Sequence, residues 1–594
     1  MEIEAAAHTA PYKIHKYFAR RPWNIFQNLI LNNSEVNEII LDPFMGGGVT
    51  VYESVFLKRK VIGCDLNPLS KFIVINMLDD KSSLEEFDKA CKLVSEYLKD
   101  IKFQFNEIKK INWCELTYQV ICNECKNKTI LSNEQKVGVA KFKCVNKNCI
   151  SNIQKTYISP ISCERTGYVY LNMNSIMIDG SEKTIQFDKK LELENKKYIN
   201  YLKEIIYDKK IKIPNDLIPL LWDRQFEDRL FEKNIKSFQD LFTEKNLYLN
   251  LILLDFIKNL DIKSNIKSLL RLVFSSSLRD TNIMSFVNSR WQSGKPTTWS
   301  KHAYWLPSQF CEVSVLDAFQ RAAKRVRAML VFNRNNQLCV NKANKFEELN
   351  DKSNVLLLDQ SIANVNLQKD SIDAIITDPP YGSNVQYLEL SSFWNVWNKD
   401  LYTFDNELFK EEAISNRKKC FIGHKTMIDY EQNLYKVFHK SFLLLKKNKP
   451  LIVTFNNKNM AAWIALLLAI FRSGFEFNEK EIYFQNGVKN YIHTAHTQYK
   501  GSPYGDFILK FYKPKSPHEV KSINADILIK SIDKIFLRKE LKTDDKQNRG
   551  QIKLSLFLKS LKYIESYSKT IYIQAERELI FNYFGKNYLK NIYG

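Results

Sequence analysis

No stretch of the sequence is apolar for long enough to cross a bilayer. Its most apolar run, residues 460–471 (MAAWIALLLAIF), has 12 residues, well short of the roughly 20 that a membrane helix needs. The first residues, MEIEAAAHTAPYK, carry acids and no apolar core of signal-peptide type, which predicts a cytoplasmic protein. Two phosphate cradles are missing as well: there is no G-x-G-x-x-G and no Gly-Lys followed by Ser or Thr. Neither a pyrophosphate nor a triphosphate site is therefore supported. No internal repeat is present. Acids are scarce beside bases, 66 against 88, for a net charge of +22. Such a surplus favours a polyanionic partner, nucleic acid before a membrane surface.

The chain is long, 594 residues, enough for three or four domain-sized units with cores that need no staples. With 45% hydrophobic and 26% charged residues, its composition is that of a globular protein, and disorder is confined to local tails. Eleven cysteines is an odd number, and in a reducing compartment they serve metal binding or core packing before disulfides.

Residues 38–41 (EIIL) form a short apolar run that ends in 42–48 (DPFMGGG), and 49–58 suit a helix. This reads as strand, glycine turn, helix. A second strand of buried type, 60–64 (KVIGC), ends at Asp65, 23 residues after Asp42. Together they predict the opening βαβ unit of a doubly wound sheet. The same alternation resumes with a strand at 355–358 ending in Asp359 and another at 372–377 ending in Asp378-Pro379-Pro380-Tyr381. A strand at 451–455 and a late pair near 481–484 and 506–512 would complete the sheet. About 270 residues separate the halves, far more than a crossover needs, so the gap must hold domains of its own. It contains a cysteine-rich island at 122–149 and a helical region at 269–330 broken around 290–301. Beyond 513–517 (KPKSP), two amphipathic helical stretches flank a polar segment, 543–550.

A carboxylate at a strand end can accept hydrogen bonds from a ribose diol. In the absence of a phosphate cradle, the cofactor that fits is S-adenosylmethionine: an adenosine, a methionine zwitterion and a sulfonium that makes its methyl electrophilic. In this reading Gly46 and Gly48 let the backbone approach the cofactor, and Asp42 holds the methionine ammonium. Phe44 flanks the site, Asp65 binds the ribose hydroxyls and Asp359 lies near the adenine.

Asp378-Pro379-Pro380-Tyr381 is the sharpest signal. Two prolines after a buried strand would remove ladder donors, so they belong in the turn beyond its carboxyl end, where α/β sheets place ligands. The amino group of a base attacks poorly because its lone pair is delocalised into the ring. Asp378, or a backbone carbonyl such as that of Pro379, can accept its N–H bonds and move the nitrogen toward tetrahedral geometry. Tyr381 offers a ring on which a flipped base can stack.

DPFMGGG (42–48), CDLNP (64–68) and DPPYG (378–382), in this order, resemble the S-adenosylmethionine-dependent amino methyltransferases of DNA. More closely, KYFARRPWNIF (16–26), the cysteine island and KDSIDAIITDPPYGSNVQYLELSSFWNVW (369–397) resemble the adenine-specific DNA methylases that contain a zinc ribbon. The likeness covers most of 12–150 and 266–514. It implies that Asp42, Phe44, Gly46, Gly48 and Asp65 bind cofactor, that Asp378, Pro379, Pro380 and Tyr381 form the catalytic loop, and that 16–23 lie on the cofactor side. Residues 166–265 and 516–594 match no pattern.

Cys122-x2-Cys125 and Cys144-x4-Cys149 are separated by 18 residues, close to a four-cysteine zinc site. Four thiolates leave no open coordination position, so zinc here would fold a ribbon and do no chemistry. His493-x2-His496 reads as a polar loop, and Tyr387, Leu390, Trp394 and Trp397 recur at helical spacing as a core stripe. Arg321, Lys324, Arg325 and Arg327 could face phosphates.

The fold expected is α/β, a Rossmann-like methyltransferase sheet split by a long insert that carries a zinc ribbon and a helical region, with a helical C-terminal extension. The division expected is a first half of the catalytic domain at 1–80, linker helix and ribbon at 81–165 and a mostly helical target-recognition insert at 166–350. The second half then occupies 351–515 and the extension 516–594. The function expected is methyl transfer to a base amino group of DNA, adenine N6 before cytosine N4, because the loop begins with Asp where Ser is common in N4 enzymes. An RNA guanine-N2 methyltransferase and a non-catalytic DNA-binding protein are the alternatives. DNA is the expected partner, together with a restriction or defence-system component.

Overall fold

The computed structural model of the chain describes residues 4–101, 107–138, 140–159, 163–287, 295–350, 352–417, 424–486, 505–516, 519–537, 554–585 and 588. Eight strands form one sheet. They are β1 (Ile39–Asp42), β2 (Lys60–Cys64), β3 (Lys342–Ala343), β4 (Val355–Leu358), β5 (Ala374–Thr377), β6 (Pro450–Phe455), β7 (Glu476–Asn486) and β8 (Gly505–Tyr512). Short strands without polar alternation must be buried on both faces, and β1, β2, β4, β5 and β6 obey this. The order across the sheet is β3-β4-β2-β1-β5-β6-β8-β7. Strands β1 to β6 pair in parallel, whereas β8 runs antiparallel between β6 and β7.

Successive side chains of each strand enter different cores. Ile40, Val61, Ile376 and Ile452 join the first, while Leu41, Ile62, Ile375, Leu451 and Val453 join the second, as the two-residue period of a strand requires. Helix α1 (Trp23–Asn33), α2 (Val49–Phe56) and α3 (Pro68–Met77) contribute to the first core, along with the helices Ser264–Ser277 and Val315–Asn335. The second is filled by the helices Met427–Leu444 and Met460–Arg472. The C-terminal helices Ala525–Leu537, Leu561–Ser568 and Gln574–Tyr583 add Leu528, Ile532, Leu561, Ile564 and Ile580 to it. The extension is thus part of the catalytic layer's core. The apolar run 460–471 is a buried helix, and no helix among the described residues is long and apolar enough to cross a membrane.

Between β2 and β3 lies an antiparallel sheet in the order Gln309–Val313, Ile108–Ile121, Glu164–Met177, Glu182–Gln186, with Lys128–Ile130 attached to Ile108–Ile121. Residues 166–350 carry more helix than strand, but Glu164–Met177, Glu182–Gln186 and Gln309–Val313 join Ile108–Ile121 in a sheet that the sequence reading does not foresee. Glu164–Met177 runs across the boundary placed at 165, and β3 pairs with β4 ahead of the one placed at 351. The long strands escape a periodicity search because their pairing shifts register four times, and each bulge resets the in/out alternation. The helices Lys189–Asp208 and Glu244–Asn259 accompany this sheet.

Candidate active site

Strand order reverses at β1, which has β2 on one side and β5 on the other, and such a switch point opens a crevice at the carboxyl ends of the strands. Asp42 ends β1 and Asp378 follows β5, and the two strands are tied there by Thr377 Oγ1 donating to Asp42 Oδ1 at 2.7 Å. Asp42, Phe44, Gly46, Asp65, Asp378 and Pro380 line one cleft, to which the N-terminal segment adds Tyr17, Arg20 and Arg21. Residues 336 positions apart in the chain therefore face the same space.

Gly46 adopts a positive φ of 52°, and its N–H donates to Asp65 Oδ2 at 2.7 Å. Asp65 Oδ1 accepts from Asn67 N at 2.8 Å. Burial outweighs both bonds and pushes the Asp65 carboxyl up to about 6. Asp42 accepts from Phe44 N at 3.2 Å as well as from Thr377, and burial raises it to about 6. Both carboxylates thus pin the glycine turn through backbone donors; Asp42 Oδ1 is filled by its two donors, which leaves its Oδ2 and the two Asp65 oxygens with lone pairs for a ligand.

Two positions differ from the reading by residue type. Gly48, with φ of 78°, caps α2, and a Cβ there would lie 2.5 Å from Val74 Cγ2 and 2.9 Å from Met77 Cε. Its bareness serves the packing of α2 on α3. Gly47 is the glycine that joins Gly46 on the cleft wall, where a Cβ would meet Arg20 Nε at 2.6 Å. Asp359 lies on the rim, about half exposed and paired with Lys71 Nζ at 3.0 Å, while Ser361, two residues on, lines the cleft.

Two buried groups in the cleft were not singled out by spacing. Arg20 donates through Nη1 to His15 O at 3.3 Å and to Tyr12 O, but its Nε and Nη2 are buried without a partner. Burial lowers its pKa to about 10. Glu412 accepts from Leu388 N at 2.9 Å through Oε1, while its Oε2 is buried and unpartnered, and burial raises it to about 7. An unpaired buried donor costs free energy unless something binds it. The cleft wall thus offers a cation lacking its anion and an acceptor lacking its donor. Arg20 lay within a segment noted for its likeness; Glu412 lay in none.

Asp378 sits deeper. Its Oδ1 accepts from Thr454 Oγ1 at 2.8 Å and from the Tyr381 hydroxyl, and its Oδ2 accepts from Arg21 Nε at 2.8 Å. Burial, with Asp506 nearby and Arg21 opposing, raises its pKa to about 7. Pro380 O accepts from Tyr430 Oη at 2.6 Å. Tyr381 is buried, with one face stacked on Phe455 at 5.3 Å between centroids and 24° between planes. The Arg21 guanidinium lies 4.9 Å over its ring. The ring expected to stack a flipped base at Tyr381 therefore has Phe455 and Arg21 as its present neighbours.

A family model described as DNA methylase matches residues 3–76. Over this segment the chain is similar to DNA methylases of the adenine- and cytosine-amino type. The matched segment carries Arg20, Arg21, Asp42, the glycine turn and Asp65, and so supplies one wall of the cleft. No curated protein matches the chain.

Away from the cleft, the Sγ atoms of Cys122, Cys125, Cys144 and Cys149 all lie within 4.8 Å of one another, with Cys125–Cys144 at 3.4 Å and Cys122–Cys149 at 3.7 Å. A tetrahedral zinc with Zn–S of 2.3 Å separates its sulfurs by about 3.8 Å, so the four fit one metal. Of the basic run, Arg321 pairs with Asp280 at 3.1 Å and Arg327 with Asp88 at 2.9 Å. Leu390, Trp394 and Trp397 are buried, and Tyr387 lines the cleft. His493 and His496 lie outside the described residues.

Proposed function

We propose that the protein is an S-adenosylmethionine-dependent DNA amino methyltransferase, built on a Rossmann-like sheet split by the long insert, and that it methylates adenine N6 in a flipped base. The observation that carries this reading is the convergence of the glycine turn with Asp378 and Pro380 of the Asp378-Pro379-Pro380-Tyr381 loop on one cleft at the switch point. Binding of the zwitterionic cofactor is supported by the orphaned groups. Arg20 Nε and Nη2 would take its carboxylate, Asp42 and Glu412 would take its ammonium or neighbouring donors, and Asp65 would accept from the ribose. Bound there, S-adenosylmethionine supplies an electrophilic methyl on its sulfonium. Asp378 accepts the N–H bonds of the target amino group, which localises its lone pair for attack. With a pKa near 7, it is also poised to take the proton that the nitrogen sheds at neutral pH. Zinc on the four cysteines would hold the ribbon and leave the chemistry to the cleft.

The test is transfer of labelled methyl to plasmid DNA, followed by modification-sensitive sequencing to identify the base. Transfer to DNA and not to tRNA is expected, with N6-methyladenine as product. N4-methylcytosine would correct the base, and labelling of tRNA alone would replace the reading with the RNA alternative.

A further inference from the structure

Arg21 satisfies, with one planar side chain, two requirements of a target base. A base amino group must donate N–H to Asp378 while its ring lies against the loop, and Arg21 donates Nε–H to Asp378 Oδ2 at 2.8 Å with its guanidinium 4.9 Å over the Tyr381 ring. Phe455 also stacks on that ring, so a base stacking on Tyr381 must displace a neighbour, and Arg21 is the one that also holds Asp378. A second anchor holds Arg21 from outside the loop: Nη1 donates to Asp506 Oδ2 at 2.6 Å, at the start of β8. Released from Asp378, the guanidinium would keep this partner.

Resting on the amino-methylase reading above, we infer that Arg21 occupies the place the target base must take, so that guanidinium and base exchange on Asp378 and Tyr381. The exchange has a chemical consequence. Arg21 is the cation opposing protonation of Asp378, while Asp506 favours it. Replacing the cation by a neutral base leaves the buried Asp378 carboxylate without its counter-ion, and a buried charge that loses its opposite charge gains proton affinity. Base entry therefore makes Asp378 a stronger acceptor for the amino proton at the step that needs one.

The experiment compares the pH dependence of kcat and of kcat/KM for DNA in wild type, Arg21→Ala and Arg21→Lys, because kcat/KM reports ionisations of the free protein and kcat those of the complex. The ionisable groups facing Asp378 are Arg21, Asp506, Tyr381, Tyr387 and Tyr430. Burial pushes Tyr387 and Tyr430 well above their ordinary values, which keeps them out of the acid limb. Arg21→Ala should move the acid limb of kcat/KM to higher pH and leave that of kcat where wild type has it, since Arg21 has already left Asp378 in the complex. Arg21→Lys, which retains a cation, should keep both limbs near wild type. Movement of both limbs in Arg21→Ala, of the kcat limb alone, or of neither would overturn the exchange.

If wild type transfers no methyl to any DNA, the functional reading fails and a binding measurement decides the exchange by itself. The affinity for a single-stranded oligonucleotide containing adenine, relative to the same strand with abasic sites, should rise about fivefold in Arg21→Ala, the worth of a modest base–aromatic stack. An unchanged or smaller ratio would overturn it. Cofactor affinity and thermal midpoint report whether the variants are folded.

Discussion

Replacing Asp378 with Asn tests the chemistry with the least disturbance of shape. The amide oxygen can still accept from Thr454 and Tyr381, whose bonds converge on Oδ1. The amide nitrogen, however, would stand 2.8 Å from Arg21 Nε, donor facing donor. Loss of that charge-assisted bond costs about 1.5 to 3 kcal/mol, softened because Arg21 keeps Asp506. The catalytic loss should be larger. An amide neither draws the N–H bonds of the base as strongly nor takes its proton, and removal of one preorganised polar group from an active site typically costs about 100- to 1000-fold in turnover. Single-turnover transfer of labelled methyl measures the step, with calorimetry for S-adenosylmethionine as control. In wild type the rate should rise with pH as the Asp378 carboxyl ionises, because the carboxylate is the competent form, with a limb above the value of about 7 that the group has while Arg21 is paired with it. The variant should lack that limb. Turnover by Asp378→Asn within a few-fold of wild type would refute the reasoning and reduce the loop to a rigid turn.

Other consequences are open to simpler measurements. Gly48→Ala should lower thermal stability by more than about 1 kcal/mol, through the strain of a positive φ and the overlap with Val74, while Gly47→Ala should mainly weaken cofactor binding by displacing Arg20. Equal thermal midpoints for Gly48→Ala and wild type would refute the packing role. Arg20→Gln should weaken S-adenosylmethionine binding by roughly 10- to 150-fold, the worth of a hydrogen bond to a charged group, and calorimetry showing unchanged affinity would remove Arg20 from the site. Metal analysis should find one zinc per chain, released by Cys122→Ser with Cys125→Ser and accompanied by local unfolding of the ribbon; absence of zinc from wild type purified without chelator would defeat that assignment.

Strand ends, turns and the paired cysteines were legible in the sequence because each is governed by chemistry within a few residues of itself. An apolar run followed by glycines must turn, two prolines must leave the ladder, and Cys-x2-Cys forms its own knuckle, with Lys126 N donating to Cys122 O at 3.0 Å. The basic surplus, which points to a polyanion, needed only counting. The bulged strands Ile108–Ile121 and Glu164–Met177 were hidden, since their alternation slips wherever the pairing shifts.

Which glycine serves the cleft and which the packing depended on Val74 and Met77 from a later helix, contacts that no local pattern contains. Glu412 carries no motif; its role comes from being buried with one oxygen unpaired beside residues hundreds of positions away. Arg20 and Arg21 are adjacent in one basic segment, yet the first lies over the glycine turn and the second reaches Asp378 and Asp506. Residue type supplied the cations. Only the tertiary structure decided that, among the described residues, Arg21 would meet two carboxylates and Arg20 none, because electrostatic partners are chosen by distance in space.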